Sequence, residues 1–151
     1  MEITIFKDIK QTSQPFYKHV NVILDRIKDG ASKDTVKSIR GEKDKENRRV
    51  LKAKLPAICF SGTFSKRADN AIINHSGLIC LDFDEYKTKT LMLQEKQRLS
   101  KDRYVFSVFV SPSGNGLKVL VKIPTETDNH KNYFLSLQNY FNSENFDKSC
   151  K

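Results

Sequence analysis

No apolar run in the chain approaches the ~20 residues that a bilayer-spanning helix needs. The amino terminus, Met1-Glu2-Ile3-Thr4-Ile5-Phe6, lacks the basic-then-apolar order of a secretory signal. Cysteine is scarce: Cys59, Cys80 and Cys150 are odd in number and far apart. That spacing gives neither a disulfide framework nor the paired-Cys or Cys/His pattern of a zinc site, and His19, His75 and His130 are too scattered to complete one. Cys59 and Cys80 fall inside apolar runs and read as buried free thiols. Internal repeats, low-complexity segments and an obvious interdomain linker are also missing. These absences describe a protein of the cytoplasm.

What is present is enough chain, 151 residues, for about one domain with its own hydrophobic core. Net charge is +9, from 27 Lys+Arg against 18 Asp+Glu, and an excess of that size favours an anionic partner, nucleic acid or nucleotide first. Solubility alone is the plainer explanation. From Lys37 to Lys54 eight basic residues, Arg40, Arg48 and Arg49 among them, outnumber three acidic ones. Such a run either tracks a nucleic-acid backbone or is a solvated helix face.

Periodicity predicts a strand at Met1–Lys7, a polar loop at Gln11–Pro15 and a helix over Val20–Lys28 that Gly30 stops. A second helix is expected to open over Ser32–Ile39, and a third over Lys45–Lys54 until Pro56 ends it. Ala57–Phe60 reads as a buried strand, and Asp69–Asn74 as a short helix ended by His75-Ser76-Gly77. From Leu78 the order is strand, helix (Thr88–Leu99, carrying Leu91, Leu93 and Leu99), strand (Tyr104–Val110), strand (Leu117–Ile123) and helix (Asn129–Phe141). One more strand would complete the split βαβ unit of RNA-recognition-motif and ferredoxin-like sheets. The fold expected is therefore α/β (α+β): a small basic lobe over residues 1–76, then a sheet-bearing lobe over 77–151 truncated before its last strand. Phe106, Phe109 and the group Tyr133, Phe134, Tyr140 and Phe141 are expected in the core.

Two segments carry chemistry. In Leu78-Ile79-Cys80-Leu81-Asp82-Phe83-Asp84, strand alternation puts Asp82 and Asp84 on one face, with Cα atoms roughly 6.5 to 7 Å apart, and Ile79, Leu81 and Phe83 on the other. Two ionised carboxylates so close repel unless a cation lies between them, and hard oxygen donors suit Mg²⁺ or Mn²⁺. The alternative is a strand end where Asp84 starts a turn and Asp82 is merely exposed. In Ser111-Pro112-Ser113-Gly114-Asn115-Gly116-Leu117-Lys118, Asn115-Gly116 suits an ordinary hairpin turn. The turn is also rich enough in Ser and Gly for its N–H groups to hold phosphate, with Lys118 adding a point charge. Ser61, Thr63, Lys66 and Arg67 follow a buried strand and either line a cleft beside Asp84 or form a capped loop. His75 reads as helix-end chemistry.

Taken together and in this order, the two segments resemble a known family. Leu81-Asp82-Phe83-Asp84 resembles the first motif of the archaeo-eukaryotic primase superfamily, and Ser113-Gly114-Asn115-Gly116-Leu117-Lys118 resembles its second. With Leu55-Pro56-Ala57, Phe60-Ser61-Gly62-Thr63-Phe64 and His75-Ser76-Gly77-Leu78, most of the chain is similar to the amino-terminal domain of virulence-associated protein E (VirE)-type proteins, found in Bacteroidetes and mobile elements. The resemblance implies a primase-type nucleotidyltransferase of DNA replication, often linked to a helicase. Asp82 and Asp84 would bind the catalytic Mg²⁺ or Mn²⁺, with Asp147 as the third acid. Ser111, Ser113, Gly114, Gly116 and Lys118 would meet the nucleoside triphosphate. Arg40, Arg48, Arg49, Lys66 and Arg67 would contact single-stranded or primed DNA. Lys118 stands where the superfamily usually has His. The rival readings are a non-catalytic nucleic-acid-binding module and a regulatory or assembly domain.

Overall fold

A computed structural model describes residues 1–149, so Cys150 lies outside the described residues. Helices and strands are both abundant and largely segregated, an α+β architecture. The chain forms two compact units, Met1–Ser76 and Gly77–Lys151.

In the first unit, β1 (Glu2–Phe6) is the centre of a three-stranded sheet, antiparallel to β2 (Phe16–His19) on one side and β3 (Ala57–Cys59) on the other. Being central, β1 buries Ile3, Thr4 and Phe6 completely. Thr4 makes its burial tolerable with two hydrogen bonds: its Oγ1 donates to the Gly62 carbonyl at 3.0 Å and accepts the Phe64 N–H at 2.8 Å. Those partners lie on β4 (Gly62–Phe64), which pairs with β5 (Ile72–His75). The expected Asp69–Asn74 helix is corrected here. A single 3₁₀ turn covers Asp69–Ala71, and the β-branched pair Ile72-Ile73 then extends to pair with β4. The Asn74 N–H also donates to Thr63 Oγ1 at 3.2 Å.

Three helices separate β2 from β3. α1 (Val20–Lys28) buries Val20 and Ile23, α2 (Lys33–Gly41) only Ile39, and α3 (Lys45–Lys52) nothing. The basic stretch is thus mostly solvated surface. Asp44 caps α3 by accepting the Asn47 N–H at 2.8 Å.

The second unit contains β6 (Leu78–Phe83), α4 (Lys89–Leu99), β7 (Val105–Val110), β8 (Leu117–Lys122) and α5 (His130–Phe141). Its sheet order is β6-β8-β7, with β8 antiparallel to both neighbours. β6 and β7 are therefore parallel, joined through α4 and separated by β8, the arrangement of a split βαβ unit. One face of this sheet, with Ile79, Leu81, Phe83, Val119 and Val121, forms a core with Met92 and Leu99 of α4 and Phe134 and Phe141 of α5. Leu91 and Leu93 are 47% and 45% exposed; Met92 and Leu99, two helical turns apart, face the sheet. Tyr140 is likewise exposed, and Phe106 and Phe109 are half-buried outside this core.

The outer edge of β6, expected to lie open, is met by residues 145–147. Phe146 bridges Phe83 in antiparallel sense, the Asp84 N–H donates to the Asn145 carbonyl at 2.7 Å, and the Asp147 N–H donates to the Asp82 carbonyl at 2.8 Å. Phe146 is 4% exposed and meets both Phe83 and Phe134 edge-on, each with centroids 5.3 Å apart. Cys59 and Cys80, expected buried, form no disulfide and are only half-buried. Among the described residues no helix is long and apolar enough to cross a membrane.

Candidate active site

The geometry around Asp82 follows from strand register. β6 turns Ile79, Leu81 and Phe83 into the core, at 2%, 0% and 0% exposure, so alternation sends Asp82 and Asp84 to the opposite face. β8 pairs Asp82 with Lys118 and Phe83 with Leu117, which brings Gly116 opposite Asp84. Directly opposed residues of a sheet share a face. Lys118 Nζ accordingly donates to Asp82 Oδ1 at 2.6 Å, with side chains 33% and 25% exposed. β7 continues the row, since Phe109 opposes Lys118, and on the other flank Asp147 opposes Asp82. Across the sheet the order is Asp147, Asp82, Lys118, Phe109.

Gly116 is the residue that lets Asp84 join this surface. A Cβ there would lie 2.0 Å from Asp84 Oδ1 and 2.8 Å from the Phe83 carbonyl oxygen, so the Asp84 carboxylate rests where any other residue would place its side chain. The hairpin turn has its own internal bonds. The Ser111 N–H donates to the Gly116 carbonyl at 2.8 Å and the Gly114 N–H to the Ser111 carbonyl at 2.9 Å. Gly114 adopts φ 80°, which a side chain would strain. Ser111 Oγ and Ser113 Oγ lie 3.2 Å apart. Two of the amides expected to cradle phosphate are therefore spent on holding the turn.

Asp147 sits beside Asp82 in the row, but its Oδ1 accepts from the Ser149 N–H at 2.8 Å and from Ser149 Oγ at 2.7 Å. Among the described residues no three His, Cys, Asp or Glu side chains are gathered to share a metal ion. Asp82 and Asp84 fit a hard divalent cation as oxygen donors on one surface, and the Lys118 ammonium is in contact with Asp82.

The basic candidates belong to the first unit. Arg48 is engaged structurally: its Nε and Nη2 donate to the Glu42 carbonyl at 3.0 and 2.6 Å, holding the end of α2 against the start of α3. Arg40, Arg49 and Lys66 are exposed. Arg67 is half-buried, donates its N–H to Thr12 at 2.8 Å, and partly offsets the rise that burial causes in the Cys59 thiol pKa. The Ser61 carbonyl accepts the Ser76 N–H at 2.8 Å, Thr63 is 7% exposed, and His75 is a strand residue paired with Gly62 rather than a helix end.

Two residues near the acids gave no signal in the sequence. Asn145 clamps the Asp84 backbone, its Nδ2 donating to the Asp84 carbonyl at 2.7 Å while its own carbonyl accepts the Asp84 N–H. Tyr86 buries a hydroxyl with no hydrogen-bond partner among the described residues. Burial first, and the Glu95 carboxylate second, push its pKa well above the ordinary 10. With Leu91, Glu95 and Ser143–Asn145 it lines a cavity of about 200 Å³. Only the fold brings these positions to the end of β6.

No curated protein and no solved structure matches the chain. The sequence profile of the family described as BT4734-like, N-terminal domain, matches residues 50–146, a span that contains Asp82, Asp84 and the whole glycine-rich hairpin. With more than half of its length matched, the chain belongs to the BT4734-like N-terminal domain family.

Proposed function

We propose that the chain is a primase-polymerase-like nucleotidyltransferase domain, working in the cytoplasm on DNA as part of a mobile-element replication protein. The observation that carries this reading is the juxtaposition of Asp82 and Asp84 with Lys118 and Gly116 on one sheet surface, at the mouth of a Ser/Gly-rich turn. The reaction is attack of a 3′-hydroxyl on the α-phosphorus of a nucleoside triphosphate, with pyrophosphate leaving. Mg²⁺ or Mn²⁺ bound by Asp82 and Asp84 would supply charge neutralisation at the phosphates. Lys118 adds a flexible cation for the triphosphate, and Gly116 leaves room for the Asp84 carboxylate on that surface. The chain's +9 charge supports a nucleic-acid partner, with exposed Arg40, Arg49 and Lys66 as backbone contacts. The resemblance to virulence-associated protein E-type domains supports a helicase as neighbour.

The test is Mn²⁺-dependent binding of a fluorescent nucleoside triphosphate, followed by primer extension on a single-stranded template. Asp82→Ala and Asp84→Ala are expected to abolish both. The engagement of Asp147 with Ser149 and of Lys118 with Asp82 favours a second reading, a nucleic-acid-binding or assembly module without turnover. Salt-sensitive DNA binding that ignores both metal and Asp82→Ala would select that module.

A further inference from the structure

We infer that Lys118 is the built-in counter-cation of the acidic face: its ammonium holds Asp82 until a divalent cation displaces it, and the displaced ammonium then meets the triphosphate. The inference rests on the reading above and adds a regulation to it, in which metal and nucleotide binding are coupled through one lysine.

Register brings the two side chains side by side, because Asp82 and Lys118 are direct cross-strand partners. The ammonium lies 2.6 Å from Asp82 Oδ1. A divalent cation on the same oxygen would sit at roughly 2.0 to 2.2 Å, leaving the two positive charges only about 4 Å apart, where they repel. They compete for the same carboxylate. The side chains are 33% and 25% exposed, so the pair opens to solvent without breaking the sheet. Lysine suits an exchange of this kind. Its charge is compact, its stem has four flexible carbons, and it lacks the two-pronged grip of arginine. Asp84 need not move when Lys118 does, because its carboxylate is seated over Gly116 and its backbone is clamped by Asn145. Displacement therefore leaves both acids in place and a mobile cation beside them. Linkage then requires reciprocity: a nucleotide that engages Lys118 raises metal affinity by the factor by which metal raises nucleotide affinity.

The experiment measures Mn²⁺ alone by titration calorimetry and electron paramagnetic resonance on the full chain. Lys118→Gln is expected to bind Mn²⁺ about tenfold more tightly than wild type, equivalent to about 1.4 kcal/mol, and Lys118→Arg no more tightly than wild type. In wild type, the ¹⁵N resonance of Lys118 Nζ is expected to shift when diamagnetic Mg²⁺ is added, a readout that stands even if a variant fails to fold. Equal or weaker Mn²⁺ binding by Lys118→Gln, or an unmoved Lys118 resonance with Mg²⁺ bound, overturns the counter-cation role and leaves the metal site standing. No Mn²⁺ binding by wild type, or binding untouched by Asp82→Asn, removes the nucleotidyltransferase reading as well.

Discussion

Gly116→Ala adds one methyl group where the sheet has no room for it. The new Cβ would lie 2.0 Å from Asp84 Oδ1, 2.8 Å from the Phe83 carbonyl oxygen and 3.1 Å from Asp84 Cγ. The first and third contacts are with a side chain that can rotate away. The second is with backbone fixed in the β6–β8 ladder, so part of the clash must be taken up by displacing a strand. The backbone at Gly116 is not in the left-handed region, so the penalty comes from contact alone. Overpacking of this kind costs about 1–3 kcal/mol. For a chain of this size a 2 kcal/mol loss lowers Tm by about 4–8 °C. Urea unfolding followed by circular dichroism measures the loss directly. The matched control is Gly41→Ala at the end of α2, where an added Cβ meets nothing within 4 Å and helix propensity favours alanine by up to about 1 kcal/mol. Removing the rotating partner separates the two contacts. In Gly116→Ala/Asp84→Ala only the Phe83 clash remains, so the double variant should recover about 1 kcal/mol relative to additivity. A Gly116→Ala protein within about 0.5 kcal/mol of wild type, or one no worse than Gly41→Ala, would refute the close approach of β8 to Asp84.

Arg48→Ala should cost about 1–2 kcal/mol in urea unfolding, because its guanidinium satisfies the carbonyl at the end of α2. Arg49→Ala should leave stability within about 0.5 kcal/mol but weaken single-stranded DNA binding and reduce its salt dependence by about one counterion. Equal effects of the two on DNA affinity would contradict the structural role of Arg48. Burial lowers the pKa of His130, at the start of α5, below the ordinary 6.5. Neutral imidazole therefore favours the folded state above pH 6.5, and that contribution is lost as pH falls through the lowered folded value. Unfolding free energy measured from pH 7.5 to 5 should decline more steeply in wild type than in His130→Gln, and parallel curves would exclude the effect.

Much of the fold was legible because local signals and packing agree. Pro56 ends α3, Gly30 turns the chain after α1, and the apolar run from Leu78 marks β6 to within one residue. The errors fall where tertiary pairing overrides local pattern. β2, Phe16–His19, is exposed along its whole length and has no buried alternation to read; it exists because β1 offers an edge. Asp69–Asn74 begins as a helical turn, yet pairing with β4 draws Ile72 onward into a strand. In α4 the helix buries Met92 and Leu99 and leaves Leu91 and Leu93 exposed, a choice of face that its leucines alone do not decide. At the site, alternation alone places Asp82 and Asp84 on one face. That Asp82 meets Lys118 and Asp84 meets Gly116 depends on the offset of two strands whose partners lie far apart in sequence, which no local pattern encodes.

The three rings Phe134, Phe146 and Phe83 form a mechanical train from α5, through the 145–147 strip, to the strand that bears the acids. A random screen for loss of function should therefore recover substitutions at Phe134 and Phe146. Both residues lie in the core beneath the sheet, and hollowing either position should loosen the acid-bearing edge.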